Sequence, residues 1–436
     1  MQNKLAICFF LLFFLVGCNI DVSVTKGGTV VSNPALINCR ATTGKCKVKN
    51  YENIDIDIED LIVTFRAIPD DGYVLSHWQG HDCRARIANK CRAKLKGNIK
   101  LKAFFEPIEY SKQLPPNHRA INFIAMGDTG TGLEGQYRVA KAIETWCTTK
   151  SCDFVIGAGD NFYDGTPDNI HDKQFETKFE LPYKNLSMPF YMVLGNHDTG
   201  RFRDGDGGNQ KLGEVQVAYH HREDKMSNKW QMPSRYYHVK FPHNATTPLL
   251  ELFALDSAPF VGLPEGSKKY EPYDYKRRQG AWFQEKIIAS KAYWKIAFTH
   301  HPYVSNGKHG NASNYDSSLS TGGIISEKAS GQIFRDFMED YVCNKVDLLV
   351  TGHDHNLQIL KPVAPCGLTE FVVSGAGSKS NGIERINDNQ VYFQQGDHEG
   401  FFYVTVDGNK LILEAVSALT ESPKPLFIQS YRKKQL

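Results

Sequence analysis

The sequence predicts an α/β fold, a layered α/β/β/α sandwich preceded by a small all-β module, on three patterns. Short, continuous apolar runs recur from residue 121 onward, at 123–126, 154–157, 190–194, 250–255, 296–298, 348–350 and 371–373. Continuous apolarity over so few residues marks strands covered on both faces, because a strand with one wet face alternates instead. Between the runs stand stripes at helical spacing: Val139, Ala142, Ile143 and Trp146 in one, Phe334, Phe337 and Tyr341 in another. Strands and helices in alternation stack as layers. Before residue 108 the pattern has period two, in Ile54-Asp55-Ile56-Asp57-Ile58 and in Ile99-Lys100-Leu101-Lys102-Ala103-Phe104, as half-exposed strands require.

Taken in order, residues 1–18 form an export segment. Lys4 precedes an apolar stretch, 5–16, that is too short to span a bilayer. It ends Leu15-Val16-Gly17-Cys18, which resembles a bacterial lipoprotein processing box with Cys18 as the lipidated residue. By the same resemblance, Asn19 after the cysteine points to an outer-membrane or cell-surface address. Residues 21–107 make the β-module, opened by Gly27-Gly28-Thr29-Val30, with a turn at Asp71-Gly72 and then Trp78-Gln79-Gly80. It is similar to the small β-repeats of bacterial surface proteins and is present once. It acts either as a spacer or as a binder of an unknown surface partner. A linker at 108–120 contains Pro115-Pro116, which favours extended backbone. The main domain spans 121–425 and includes a hairpin at 401–416 that turns at Asp407-Gly408-Asn409.

Formal net charge is +3, or +2 once Lys4 is removed (3 − 1), and this points to neither nucleic acid nor a membrane surface. Of ten cysteines, Cys8 belongs to the export segment and Cys18 to the lipid site. The other eight suit an oxidising compartment and fall into local pairs: Cys39 with Cys46, Cys83 with Cys91, Cys147 with Cys152, Cys343 with Cys366. No Cys-x-x-Cys spacing supports a zinc site.

The chemistry sits in five blocks, each just after an apolar run. They are Gly127-Asp128-Thr129-Gly130, Gly159-Asp160-Asn161-Phe162-Tyr163, Gly195-Asn196-His197-Asp198, Thr299-His300-His301-Pro302 and Gly352-His353-Asp354-His355. One Gly-Asp alone is more often a turn, and one tyrosine more often core. Together they supply carboxylates, a phenol, an amide and imidazoles, nearly a full donor list for two adjacent metal ions. They also lie at the carboxyl ends of predicted strands, where α/β folds assemble sites. His353 and His355, two apart on an extended segment, are expected to point the same way. His301 is expected to face away from His300, as a packing histidine or a support behind the donors, and Asp198 and Asp354 to orient histidines. The stretch 201–208 contains Asp204-Gly205-Asp206-Gly207 but lacks calcium-loop spacing, with Val215 where a bidentate Glu belongs, so it reads as a flexible surface loop.

These blocks, with Trp230, Pro233, Tyr236, Tyr237, Asp256 and Ser374-Gly375-Ala376-Gly377, resemble the purple acid phosphatases, in their smaller tartrate-resistant form, over about 122–416. Tyr163 is the discriminating residue, because the wider metallophosphoesterases share the other blocks but not the tyrosine. The resemblance implies Fe(III) held by Asp128, Asp160, Tyr163 and His355, three of them anionic donors suited to a trivalent ion. It implies a divalent ion (Fe, Zn or Mn) held by Asp160 as a bridge with Asn196, His300 and His353. His197 and His309 match the substrate-facing histidines, for phosphate binding and leaving-group protonation. The implied reaction is hydrolysis of phosphate monoesters, small esters or phosphoproteins, by attack of a metal-activated hydroxide. His301 departs from the family, where a tyrosine is common. Two other readings remain: a Mn/Zn phosphodiesterase or nucleotidase in which Tyr163 is not a ligand, and a non-enzymatic surface-binding protein. The intact donor set counts against the second.

Overall fold

The computed structural model describes residues 19–433 except 50–61, 71–72, 81–85, 88, 95–96, 108–113, 116–118, 201–204, 263–265, 316–330, 384–386 and 421–422. The export segment with Cys18, the 54–58 alternation, the Asp71-Gly72 turn and Cys83 lie outside the described residues. Two compact units divide the chain, one up to Glu109 and one from Tyr110.

The first unit is all β. Its strands are β1 (Ile20–Val24), β2 (Gly28–Asn33), β3 (Asn38–Arg40), β4 (Gly44–Lys45), β5 (Lys47–Val48), β6 (Ile62–Pro69), β7 (Tyr73–Gly80), β8 (Arg86–Ile87), β9 (Lys90–Lys94) and β10 (Ile99–Pro107). They form a four-stranded sheet, β5-β1-β10-β7, and a six-stranded one, β4-β3-β2-β6-β9-β8. In β10 the residues Ile99, Leu101, Ala103 and Phe105 are buried and those between them are not, as the alternation requires. Val30, Phe65, Trp78 and Leu101 share one core.

The second unit runs through β11 (Ile121–Met126), α1 (Glu134–Thr149), β12 (Phe154–Gly157), β13 (Phe190–Met192), α2 (Leu212–His220), β14 (Trp230–Gln231), β15 (Tyr237–Phe241) and β16 (Leu250–Ala254). Then come α3 (Pro272–Ala289), β17 (Trp294–Phe298), α4 (Gln332–Phe337), β18 (Leu348–Thr351), β19 (Leu357–Leu360), β20 (Glu370–Ser374) and β21 (Val391–Gln395). The unit ends with β22 (Gly400–Asp407), β23 (Lys410–Ser417) and β24 (Pro425–Arg432). One seven-stranded sheet has the order β14-β13-β12-β11-β22-β23-β24, the other β15-β16-β17-β18-β20-β19-β21. Every continuous apolar run is a strand.

The sheets pack face to face through one core. Phe154 of β12 stacks on Phe241 of β15 at 4.4 Å, and the Tyr237 hydroxyl of β15 donates to the Met192 carbonyl of β13 at 2.9 Å. α1 covers the outer face of the first sheet, with Trp146 edge-on to Phe401 and Tyr403. α3 covers the second, where Phe283 meets Phe253. The layers are therefore helix, sheet, sheet, helix.

Disulfides join Cys39–Cys46, Cys147–Cys152 and Cys343–Cys366, and Cys91 is disulfide-bonded. Among the described residues no helix is long and apolar enough to cross a membrane.

Several elements escape the sequence pattern, and for α3 and β24 the physical reasons are plain. α3 buries Lys276 and Gln279 beside Tyr275, Phe283 and Ile287, so its inward stripe is not apolar. Lys276 is paired with buried Asp340 at 2.9 Å, and Gln279 holds the Asp256 backbone. β24 exposes Leu426 and Ile428 while Phe427 and Tyr431 pack against the core, so apolar residues stand on both faces and hide the alternation.

Phe154 stacks on Phe123 as well as Phe241, so it fills the space between the sheets. Phe154→Ala should cost about 3–5 kcal/mol of stability, read as a lower urea midpoint for the main unit. An unchanged midpoint would mean that the sheets close over the cavity.

Candidate metal centre

The five blocks leave the ends of β11, β12, β13, β17 and β18, where the backbone must turn sharply to aim side chains into one space. It does so by left-handed conformations at Asp128 (φ 60°), Asp160 (φ 53°) and His353 (φ 71°). Non-glycine residues held there cost about 1–3 kcal/mol each and cluster at functional sites. The segment around His353 is a run of bends rather than extended chain. His353 and His355, two apart, nonetheless each reach one of two adjacent clusters.

In the first cluster the Tyr163 hydroxyl lies 3.0 Å from Asp128 Oδ1, 3.0 Å from Asp160 Oδ2 and 3.1 Å from His355 Nε2. In the second, His300 Nε2 lies 2.9 Å from Asn196 Oδ1, 3.1 Å from His353 Nδ1 and 3.4 Å from Asp160 Oδ1. Asp160 thus gives one oxygen to each. All seven sequence-predicted donors fall into these two clusters, and all but half-buried His355 are buried.

Each cluster has more acceptors than protons. Tyr163 has a single proton for three neighbours, and the second cluster has at most one proton on His300 Nε2 for another three, since His300 Nδ1 is engaged by the Ala158 carbonyl at 2.9 Å. Converging lone pairs of this kind fit cations, and the all-oxygen-and-imidazole donor set fits iron, zinc or manganese.

The electrostatics agree. Burial, then the Asp128 and Asp160 charges, push the Tyr163 phenol well above its ordinary range, so without a cation beside it the phenol stays protonated. Burial lowers His353, and the imidazoles of His309, His301, His300 and His355 lower it further, leaving it neutral as a ligand must be. Burial opposes ionisation of Asp160, but His300 and His197 outweigh it and hold that carboxyl far below the usual range. Burial likewise opposes charge on His300, yet Asp160 raises it to about 9.

Both sequence-predicted substrate histidines are at the rim, half-buried. His197 packs its ring 4.4 Å from Tyr163, with Nε2 3.9 Å from Asp160 Oδ2. His309 packs 4.0 Å from the His353 ring.

Other expectations change. Asp198 orients no histidine. It accepts from the backbone N–H groups of Gly195 (2.7 Å), Asn161 (3.0 Å) and Phe162 (3.2 Å) and from Gln216 (2.8 Å), so it ties two ligand loops together. Burial and then Asp160 raise its pKa to about 7, but its partners are all donors and favour the ionised form. Asp354 accepts from Ser305 and from the His309 N–H (2.8 Å), which fixes the loop of His309 rather than an imidazole. His301 does not face away: it is wholly buried, 2.8 Å from the Ser257 hydroxyl, with its ring 4.6 Å from His353. The 201–208 stretch is more than surface, since its Gly205 carbonyl accepts from Asn196 Nδ2 at 2.9 Å and leaves the amide oxygen facing His300. Residues 201–204 of that loop lie outside the described residues. Sequence reasoning also missed Asn381, whose carboxamide lies 2.8 Å from His355 Nδ1. Its one signal is position, in the loop just after the Ser374–Gly377 strand end.

Comparison with known proteins adds an independent line. Residues 121–357 match the family described as calcineurin-like phosphoesterase. Purple acid phosphatase 3 of Arabidopsis thaliana is 30% identical over 306 residues, 67% of this chain and 73% of that protein. Tartrate-resistant acid phosphatase type 5 of Sus scrofa is 26% identical over 330 residues, 70% of this chain and 85% of that protein. Among solved structures, GAP50, the anchor in the inner membrane complex of Plasmodium, aligns with a TM-score of 0.56 at 20% identity. It covers 73% of this chain and 90% of that one, and it speaks for the fold alone.

A Cβ on Gly195 would land on Asp160 Oδ1 and 2.5 Å from the Asp160 nitrogen, neither of which can give way without moving the shared carboxylate. Gly195→Ala should therefore weaken metal binding by about 10–100-fold, with far-UV circular dichroism preserved. Gly367→Ala, where an added Cβ meets nothing within 4 Å, is the control. Equal metal content in both variants would contradict the packing described.

Proposed function

Since the chain belongs to the calcineurin-like phosphoesterase family and, within it, to the purple acid phosphatases, we propose that it is an exported acid phosphatase working with an Fe(III)–M(II) pair. By that kinship it is a phosphoric monoester hydrolase. The observation that carries the iron reading is the Tyr163 hydroxyl, 3.0 Å from both Asp128 and Asp160. A buried phenol whose single proton faces two carboxylates and an imidazole suits an anionic donor to a hard cation.

Asp128, Asp160, Tyr163 and His355 would hold the trivalent ion, and Asp160, Asn196, His300 and His353 the divalent one. When bound, the pair neutralises phosphate oxygens and supplies hydroxide below neutral pH. The chain's own residues do the rest. His300 is kept in one orientation by the Ala158 carbonyl, and His355 by Asn381. His197 binds the phosphate from the Tyr163 side of the site. His309, held by the Asp354 contact to its backbone, protonates the departing alcohol. Substrates are small phosphate esters or phosphoproteins, and the balance of charge favours no nucleic acid.

The disulfides place the chain in an oxidising compartment. We extend this to a lipid anchor at Cys18, with the N-terminal unit as a spacer or as the binder of a surface partner.

Two measurements test the reading. The soluble chain begun after Cys18 should show a visible charge-transfer band that Tyr163→Phe abolishes. A colourless, iron-free enzyme would instead favour the Mn/Zn phosphodiesterase. Separately, His197→Ala and His309→Ala should each lower kcat by about 10²–10⁴-fold at unchanged metal content, and His309→Ala should spare esters with good leaving groups. Equal losses on all esters would remove the acid role from His309.

A further inference from the structure

The segment after β20 touches three of the four donors of the Tyr163 cluster. The Gly377 N–H donates to the Gly127 carbonyl at 3.1 Å, beside Asp128, and the Ser378 hydroxyl donates to the Asp128 carbonyl at 2.5 Å. The Asn381 N–H donates to the His355 carbonyl at 3.1 Å, while its carboxamide meets His355 Nδ1. Between these contacts stands half-buried Lys379, with its ammonium 3.4 Å from the centroid of the Tyr163 ring. A cation is drawn to an aromatic face from as far as about 6 Å, so this one is in close contact. The other lysine near Tyr163, Lys178, is engaged elsewhere, donating to the Tyr163 carbonyl and to Gln174. Residues that touch ligands from outside set their orientation and donor strength.

We propose that Lys379 is a positioning residue for Tyr163, holding the ring from one face and tuning how much charge its oxygen gives to the metal. The inference rests on the reading that Tyr163 binds iron as a phenolate. A positive charge lying on the ring stabilises the phenolate's electrons more than it stabilises the electrons of the metal, which is farther away. Moving an electron from phenolate to iron then takes more energy, and a phenolate that donates less leaves the iron a stronger Lewis acid and easier to reduce. Ser378 and Asn381 keep the lysine in place by fixing the backbone on both sides of it.

The bland alternative is a lysine whose stem merely covers an aromatic ring, in which case the charge is irrelevant. Lys379→Met keeps the stem and removes the charge, and Lys379→Arg keeps the charge. At matched iron content, the visible band of Lys379→Met should move to longer wavelength and its reduction potential should fall, while Lys379→Arg stays near the parent. A band and potential unmoved in Lys379→Met overturn the proposal. Lys379→Gln, also neutral, decides the question by the same criteria should the methionine variant fail to fold. A colourless parent protein would sink the iron reading and this inference with it, whereas a coloured parent with unmoved variants sinks this inference alone.

Discussion

Asp160 is the constraint on which the rest of the structure depends. A carboxylate only 1% exposed must show one oxygen to Tyr163 and the other to His300, and nearby features serve that demand. Its backbone adopts a left-handed conformation so that the side chain leaves the strand end inward. The His197 N–H donates to its Oδ1 at 3.0 Å and so fixes the carboxylate plane. Gly195 lacks a side chain because Asp160 fills the space one would need. Asp198 then ties the loop of Asn161 to the loop of Gly195, so the supports of Asp160 are joined to one another.

The price of this arrangement is local instability. Buried anionic and neutral donors face each other with too few protons between them, and three of the predicted donors hold strained dihedrals. The surroundings offset this with conventional packing. Trp230 is wholly buried among Phe162, Phe175, Phe179 and Tyr219, directly behind the block that carries Tyr163. Arg235, buried and paired with buried Asp256 at 2.7 Å, holds Gln210, which in turn anchors the Gly207 carbonyl of the loop over Asn196. A rigid frame of aromatic rings and satisfied polar groups is what lets the site itself be poorly satisfied.

Much of this was legible in the sequence. Continuous apolar runs identify the buried strands because both faces of each sheet are covered, and the blocks after them bring their donors together because the strand ends converge. What was not legible depended on three-dimensional proximity. His301 turns inward rather than away because its loop is bent rather than extended, and Asp198 and Asp354, whose place beside the blocks suggests orienting imidazoles, brace loop backbone instead. Gly205 and Asn381 matter through their contacts with Asn196 and His355, which no local pattern announces. α3 hid behind Lys276 and Gln279, since a polar residue with a buried partner looks like a solvated one until the partner is known.

The donors come from two different sheets. Asp128, Asp160, Tyr163 and Asn196 follow strands of the first, whereas His300, His353 and His355 follow strands of the second. Bound ions would therefore rivet the sandwich at one end, since each would be gripped by both layers. A ligand that binds only the folded state adds its binding free energy to stability, so metal supply would set the enzyme's lifetime as well as its activity. Scarcity would loosen the layers first at this edge, where the loops are already strained. A cell short of metal would then have fewer intact molecules rather than many idle ones.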